Sequence, residues 1–227
     1  MDYHHLDRIK LLFPCFQSVP NEHWVNAELL SIDSSTPHAI QEGHIFRHTM
    51  FIVGGSVRIF KICPSSGREM TLYRVNGGQC CSLMLASILG ETEYEASVQV
   101  EEPTEVLLIP VPLFRGWMDS LQPVRQFVYK QMMGRIIDVT TLLEQVTFQS
   151  IPLRLSDYLL SRFHALQSDT LWITHEKIAI ELGTAREVVT RTLKSFAKSG
   201  AIALKRGQIV LLDGGSLQRL SKRANVT

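Results

Sequence analysis

Thr174-His175-Glu176-Lys177-Ile178-Ala179-Ile180-Glu181-Leu182-Gly183-Thr184-Ala185-Arg186-Glu187-Val188-Val189-Thr190-Arg191-Thr192-Leu193-Lys194 is the stretch that decides how this chain is read. Thr174 can cap a helix. Lys177, not Glu, stands three residues on, so the cap is a simple one and not a capping box. Ile178, Ala179 and Leu182 give that helix an inward face. Gly183 ends it, because glycine tolerates the left-handed conformation that such a turn needs. A second helix follows from Thr184 or Ala185, with Val188, Val189, Leu193 and Phe196 inward. Two short helices joined across a glycine are the pattern of a helix-turn-helix.

The polar face of the second helix suits a DNA major groove. Arg186, Glu187, Thr190 and Arg191 lie at i, i+1, i+4 and i+5 and can share one exposed patch. Arginine bonds guanine bidentately, and glutamate accepts from the cytosine amino group, so these four are the candidate base readers. Thr184 is placed to bond a phosphate together with the open N–H groups of the helix start, and Lys194 and Lys198 continue the basic edge. The alternative is an amphipathic helix with a solvated polar face, in which Glu187 pairs with Arg191 at i+4. Such a pair is compatible with reading, because it can hold Arg191 toward its base. Beyond it, Ala201-Ile202-Ala203-Leu204, Lys205-Arg206-Gly207-Gln208 and Ile209-Val210-Leu211-Leu212 read as a hairpin with a basic tip. The hairpin makes the unit a winged helix, with Lys205 and Arg206 as candidate phosphate contacts.

Working back toward the N-terminus, Leu155, Leu159, Leu160 and Phe163 mark the buried face of a helix from about Pro152 to Leu166. Ser150-Ile151-Pro152 is the joint before it. A longer helix starts near Pro123, and Phe127, Met132 or Met133, Ile136, Val139, Leu143 and Val146 form its apolar stripe. That stripe either packs on its own domain or meets a symmetry mate. Its length favours the second reading, with Phe127, Ile136, Val139 and Leu143 as the dimer interface.

The first 120 residues read as mostly strand. Phe51–Val53, Val57–Ile62, Met70–Val75, Ala96–Val100 and Glu105–Ile109 are short β-rich runs between Gly, Pro, Asn and Ser turn signals, as in a sandwich or barrel. Ser82–Gly90 breaks the alternation and reads as one or two helical turns ended by glycine.

Charge is split along the chain. Residues 151–227 hold 12 Lys/Arg against 6 Asp/Glu, and residues 1–150 hold 11 against 16. A basic end beside an acidic remainder fits a polyanionic partner, or equally a solvated basic surface. No run of about 18 apolar residues predicts a membrane helix, and the N-terminus lacks the pattern of a secretory signal, so a cytoplasmic location without membrane partners is expected. Cys15, Cys63, Cys80 and Cys81 form no C-x-x-C pair, so no metal site is expected. There is no G-x-S-x-G, metal-spaced histidine pair or phosphate loop, so no enzyme and no catalytic residue is expected.

Over nearly its whole length the sequence resembles the Crp/Fnr family of bacterial transcription regulators. The most specific piece is Gly183-Thr184-Ala185-Arg186-Glu187-Val188-Val189-Thr190-Arg191-Thr192-Leu193-Lys194, which is similar to that family's recognition helix. The resemblance implies an α+β chain with three parts. These are an antiparallel β-roll of cyclic-nucleotide-binding, jelly-roll type (1–120), a long dimerisation helix (121–149) and a winged helix-turn-helix (150–227). It implies that Arg186, Glu187 and Arg191 read bases, that a homodimer binds inverted repeats of double-stranded DNA, and that RNA polymerase is a further partner.

The effector end departs from the family. Ser82-Leu83-Met84 stands where cAMP-binding members carry Gly-Glu-Leu, and Tyr94-Glu95-Ala96 where they carry Arg-Ser-Ala. The phosphate-binding cation is therefore missing. Glu91, Glu93 and Glu95 crowd the same region, and repulsion of an anionic ligand is expected, so cAMP is not expected to bind. Cys15 stands alone near the N-terminus, which argues against an iron–sulfur cluster. Haem would need His38, His44 or His48 as an axial ligand, and each reads more simply as a surface residue. Cys80 and Cys81 are either redox-active effector residues or small hydrophobes of a β core. A competing reading of the whole chain is a ligand- or redox-sensing module whose C-terminal domain contacts a protein instead of DNA.

Overall fold

Runs that alternate between apolar and polar residues become strands when one face can be buried, and the first half of this chain does this around one core. The structure is a computed structural model that describes residues 3–33 and 40–223. Its contacts divide the chain into two compact units, Met1–Lys61 with Leu72–Asp138, and Ile62–Thr71 with Val139–Thr227.

The first unit is built on β1 (Glu28–Ile32), β2 (His48–Gly54), β3 (Ser56–Ile62), β4 (Glu69–Asn76), β5 (Gln79–Cys80), β6 (Ser97–Val100) and β7 (Thr104–Pro110). They form two sheets, β1-β7-β2-β5 and β4-β3-β6. Pairing is antiparallel for β1 with β7, β2 with β7 and β5, and β3 with β6. The strand runs pointed to a sandwich or barrel, and the two sheets take the β-roll form that the resemblance implied. Gly55 makes the turn from β2 to β3 at φ +82, and a Cβ there would stand 2.4 Å from the Pro103 carbonyl oxygen. No side chain fits that position.

The structure adds an N-terminal layer that the strand pattern did not announce. It comprises α1 (Tyr3–Leu12) and two 3-10 turns, Pro14–Ser18 and Asn21–Asn26. Phe13, Phe16 and Trp24 from this layer pack edge-on and tilted against Phe51, Trp117 and Phe127, with ring centroids 5.0–6.0 Å apart. Such edge-on pairs add to the stabilisation from burying the rings.

Four helices follow in order. Helix α2 (Ser82–Gly90) ends at its glycine, but the left-handed residue is the next one, Glu91, at φ 54. Arg115 of α3 (Val111–Ser120) offsets that cost by bonding the Glu91 carboxylate at 2.7 Å and the Ile88 carbonyl. Helix α4 (Gln122–Phe148) is 27 residues long with Pro123 in its first turn, and α5 (Ile151–Leu166) follows a short break.

The second unit closes a separate core from Leu155, Leu159, Phe163, Ile178, Leu182, Val189, Leu193, Phe196, Ile209 and their neighbours. Its helices are the C-terminal part of α4, α5, α6 (His175–Leu182), α7 (Arg186–Lys198) and α8 (Gly214–Arg223). Its sheet is β8-β10-β9, from Thr170–Trp172, Gln208–Leu211 and Ile202–Lys205. The three-residue β8 and the helix α8 were not expected from sequence. Leu217 of α8 is fully buried, and its carbonyl accepts from the buried Ser156 hydroxyl at 3.2 Å. Among the described residues no helix is long and apolar enough to cross a membrane.

Candidate nucleic-acid interface

The turn between α6 and α7 is set by local chemistry. The Thr174 hydroxyl accepts from the Lys177 N–H at 3.1 Å and starts α6, and Gly183 at φ 61 ends it. The Thr184 N–H then donates back to the Ala179 carbonyl at 3.0 Å. From the other side, Arg154 of α5 donates to the Leu182 carbonyl at 2.6 Å, so the open end of α6 is held by a half-buried cation. Burial lowers the Arg154 pKa from its ordinary value. Ile178, Leu182, Val189, Leu193 and Phe196 lock the two helices together.

This packing leaves one face of α7 in solvent. Arg186, Glu187, Arg191 and Lys194 are exposed, Thr190 is half-buried, and all five line one shallow concavity of about 390 Å³. Thr184 is half-buried at the turn, one residue before the N-cap Ala185. Glu187 lies in the first turn of α7 and Lys198 in the last, which matches the helix dipole at both ends. Lys205 and Arg206 are exposed at the tip of the β9–β10 hairpin, where Gly207 supplies the positive φ of the turn.

Two residues here escaped the sequence reading. His175, the first residue of α6, meets the Thr190 hydroxyl through Nδ1 at 2.9 Å and so orients a candidate reader. Burial, then the charges of Arg186 and Lys194, lower its pKa and favour the neutral ring. The pair is 15 residues apart, a distance no helical period spans. Trp172 pairs with Gln208 beside the hairpin and is 75% exposed, an aromatic plane in a position where strand periodicity gave no signal.

Residues 153–220 match the family of Crp-like helix-turn-helix domains. The chain is similar to a cyclic AMP receptor protein of Thermus thermophilus, 24% identical over 180 residues that cover 79% of this chain and 82% of that protein. It is also 24% identical, over 87% of its length and 89% of the relative's, to a CRP-like cAMP-activated global transcriptional regulator of Mycobacterium tuberculosis. A solved structure from Eubacterium rectale, described as a transcriptional regulator of the Crp/Fnr family, superposes with a TM-score of 0.80 at 29% identity. The superposition covers 93% of this chain and 99% of that one. The chain is similar to transcription regulators of the Crp/Fnr family over most of its length. It is a Crp-like transcription regulator whose helix-turn-helix is a DNA-binding module.

The roll holds a partly open cavity of about 170 Å³. Its walls are aliphatic and aromatic, and their polar atoms belong to Cys81 and Tyr94. Tyr94 occupies the position where cAMP-binding members were expected to carry arginine, and it is 1% exposed. The crowding of Glu91, Glu93 and Glu95 needs correction. All three are exposed and outside the cavity, with Glu91 on Arg115 at 2.7 Å and Glu95 on Lys61 at 3.8 Å. What meets a ligand inside is an apolar wall instead of negative charge.

The thiols separate by environment. Cys80 is buried and burial pushes its pKa up, which removes the thiolate that redox chemistry needs. Cys81 is half-buried and sits 3.5 Å from both the Tyr73 and Tyr94 hydroxyls. Cys15 is also buried, its pKa pushed up to about 12. The exposed Cys63, which the sequence reading passed over, is instead lowered to about 6 by hydrogen bonds from Ser65 and Ser66. His44 and His48 are exposed, and His38 lies outside the described residues. Among the described residues no group of three His, Cys, Asp or Glu side chains could hold a metal ion.

Along α4 the expected dimer residues point in two directions. Phe127 turns into its own roll, packed on Phe13 and Phe51, because the N-terminal layer supplies an aromatic seat for it. Ile136, Val139 and Leu143 are 57%, 54% and 65% exposed, and Met133 and Ile137 join them. The side chain of Val146 lies outside the described residues.

Proposed function

We propose that this regulator works as a homodimer that reads an inverted-repeat operator through α7, without cAMP. The observation that carries the reading is the shared solvent face of Arg186, Glu187, Thr190, Arg191 and Lys194 around one concavity on a helix whose opposite face is locked in a core. Arg186, Glu187, Thr190 and Arg191 contact base edges, and Thr184, Lys194, Lys205 and Arg206 contact phosphates. The three parts are then a sensing roll (1–120), a dimer helix (121–149) and a reading domain (150–227). RNA polymerase is the further partner, and the cytoplasm is the site of action.

Dimerisation is supported by the exposed apolar run on α4, since contiguous apolar surface of this kind marks an interface. Independence from cAMP is supported by the apolar lining of the roll, where an unpaired cyclic phosphate would be costly to bury. Ile136→Asp is expected to yield a monomer in sedimentation and to weaken binding to a two-half-site operator about 100-fold by loss of avidity. Gel shifts of the wild-type protein on its own promoter DNA, with and without cAMP, test the rest. Equal binding in both arms is expected. A monomeric wild type at micromolar concentration, or binding that requires cAMP, overturns the corresponding part.

A further inference from the structure

A partly open cavity of about 170 Å³ lies in the roll, larger than the voids that close-packed protein interiors usually leave. A cavity of about 150 Å³ lined by aliphatic and aromatic side chains stays dry and binds benzene. The walls here are of that kind, including Leu30, Ile59, Met84, Val98 and Val106, and no charged side chain among the described residues lines them. The charged neighbours are engaged elsewhere. Arg58, which alternates along β3 with the lining residues Val57 and Ile59, donates to Gln99 at 2.9 Å.

One corner of the cavity is polar. Cys81 Sγ lies 3.5 Å from the Tyr94 hydroxyl and 3.5 Å from that of Tyr73. The same sulfur accepts from the Met84 N–H at 3.4 Å, so it is also the N-cap of α2. The corner connects to α4 twice. The guanidinium of Arg135 lies 3.6 Å from the ring centre of Tyr73, and the Ser82 hydroxyl donates to the Gln131 carbonyl at 3.3 Å. A molecule that touches Cys81 and Tyr94 therefore touches the start of α2 and, one contact further, the helix that carries the exposed apolar run.

We propose that the roll binds a small uncharged molecule of about benzene to phenol size in this cavity, with any single polar group set against Tyr94 and Cys81, and that such molecules are the effector class of this regulator. The inference rests on the roll being the sensing half of the protein. Its test uses no DNA. The full-length protein is titrated with toluene, with phenol and with cAMP, and the methyl NMR signals of Ile59, Val98 and Val106 are followed. Toluene and phenol should shift these methyls saturably, and cAMP should leave them in place. Tyr94→Phe should weaken phenol about fivefold, the net worth of one hydrogen bond, and leave toluene unchanged. Val98→Ile with Val106→Ile adds two carbons to the walls and should weaken both probes about fivefold or more while the fold, followed by circular dichroism, persists. The proposal is overturned by the absence of a saturable shift, by cAMP moving the same methyls, or by phenol affinity that ignores Tyr94→Phe. Saturable shifts in a protein that fails to bind any promoter would leave the cavity site standing and sink the operator reading. The converse result would do the opposite.

Discussion

The reading helix and the roll handle polar side chains in opposite ways. On α7, Arg186, Glu187, Arg191 and Lys194 stand in solvent around a shallow concavity, with Val189, Leu193 and Phe196 buried behind them. In the roll the hollow is deeper and only partly open, its walls are apolar, and Cys81 and Tyr94 are the polar side chains among its lining residues. The first surface suits a polyanion that arrives with its own counterions and water, which basic side chains displace. The second suits a ligand that has little hydration to lose. The contrast teaches that one chain can present a charged, open surface at one end and an apolar hollow at the other.

The contrast can be broken from the roll side first. Gly55→Ala would place a Cβ against the Pro103 carbonyl at a positive φ, and we expect it to destabilise the first unit by about 3 kcal/mol. Urea unfolding followed by the fluorescence of the buried Trp24 and Trp117 measures this, with Trp172 replaced by Phe so that both reporters lie in the roll. A midpoint equal to that of the parent would show that the turn tolerates a side chain.

On the reading side, Arg186→Ala or Arg191→Ala should cost about 1–3 kcal/mol of operator affinity and relax the preference at one position per half-site. Binding to a randomised operator pool, sequenced after selection, reports both. An unchanged preferred sequence would show that the arginine is only part of a solvated face. Lys205→Ala should act more weakly and on all sequences alike, lowering the slope of log affinity against log salt by about one. A loss confined to one operator sequence would move Lys205 from the phosphates to a base.

The smallest effect is expected at His175. Its folded pKa lies below the ordinary value of 6.5, so the unfolded chain binds more protons as pH falls through 6.5. Stability of the α6–α7 pair is therefore full above about pH 6.5 and declines below it. Amide hydrogen exchange in α6 and α7 at pH 7.5 and 5.5 should show that decline in the wild type and a flatter response in His175→Gln. Equal pH dependence in both proteins would remove His175 as its source.

Much of the second unit was legible because its signals are local. A threonine cap, a glycine at φ 61 and an apolar face repeating every three or four residues all act within one turn of helix. The strand runs of the roll were legible for the same reason. What escaped depends on residues far apart in the chain. The N-terminal layer has no strong period of its own, and Phe13 and Phe16 gain their place only when Phe51, Trp117 and Phe127 arrive from β2, α3 and α4. That meeting also seats a half-buried Phe127 against its own roll. At the end of α2, a distant arginine moved the left-handed residue from Gly90 to Glu91.

The sequence by itself determined the helix-turn-helix and the residue types on its outer face, because each is written in neighbouring residues. Only the tertiary structure decided which thiols are buried, that the three glutamates stand outside the cavity and that the roll is hollow. Burial and cavity shape arise when strands distant in sequence close on one another, and no local period encodes the space they leave.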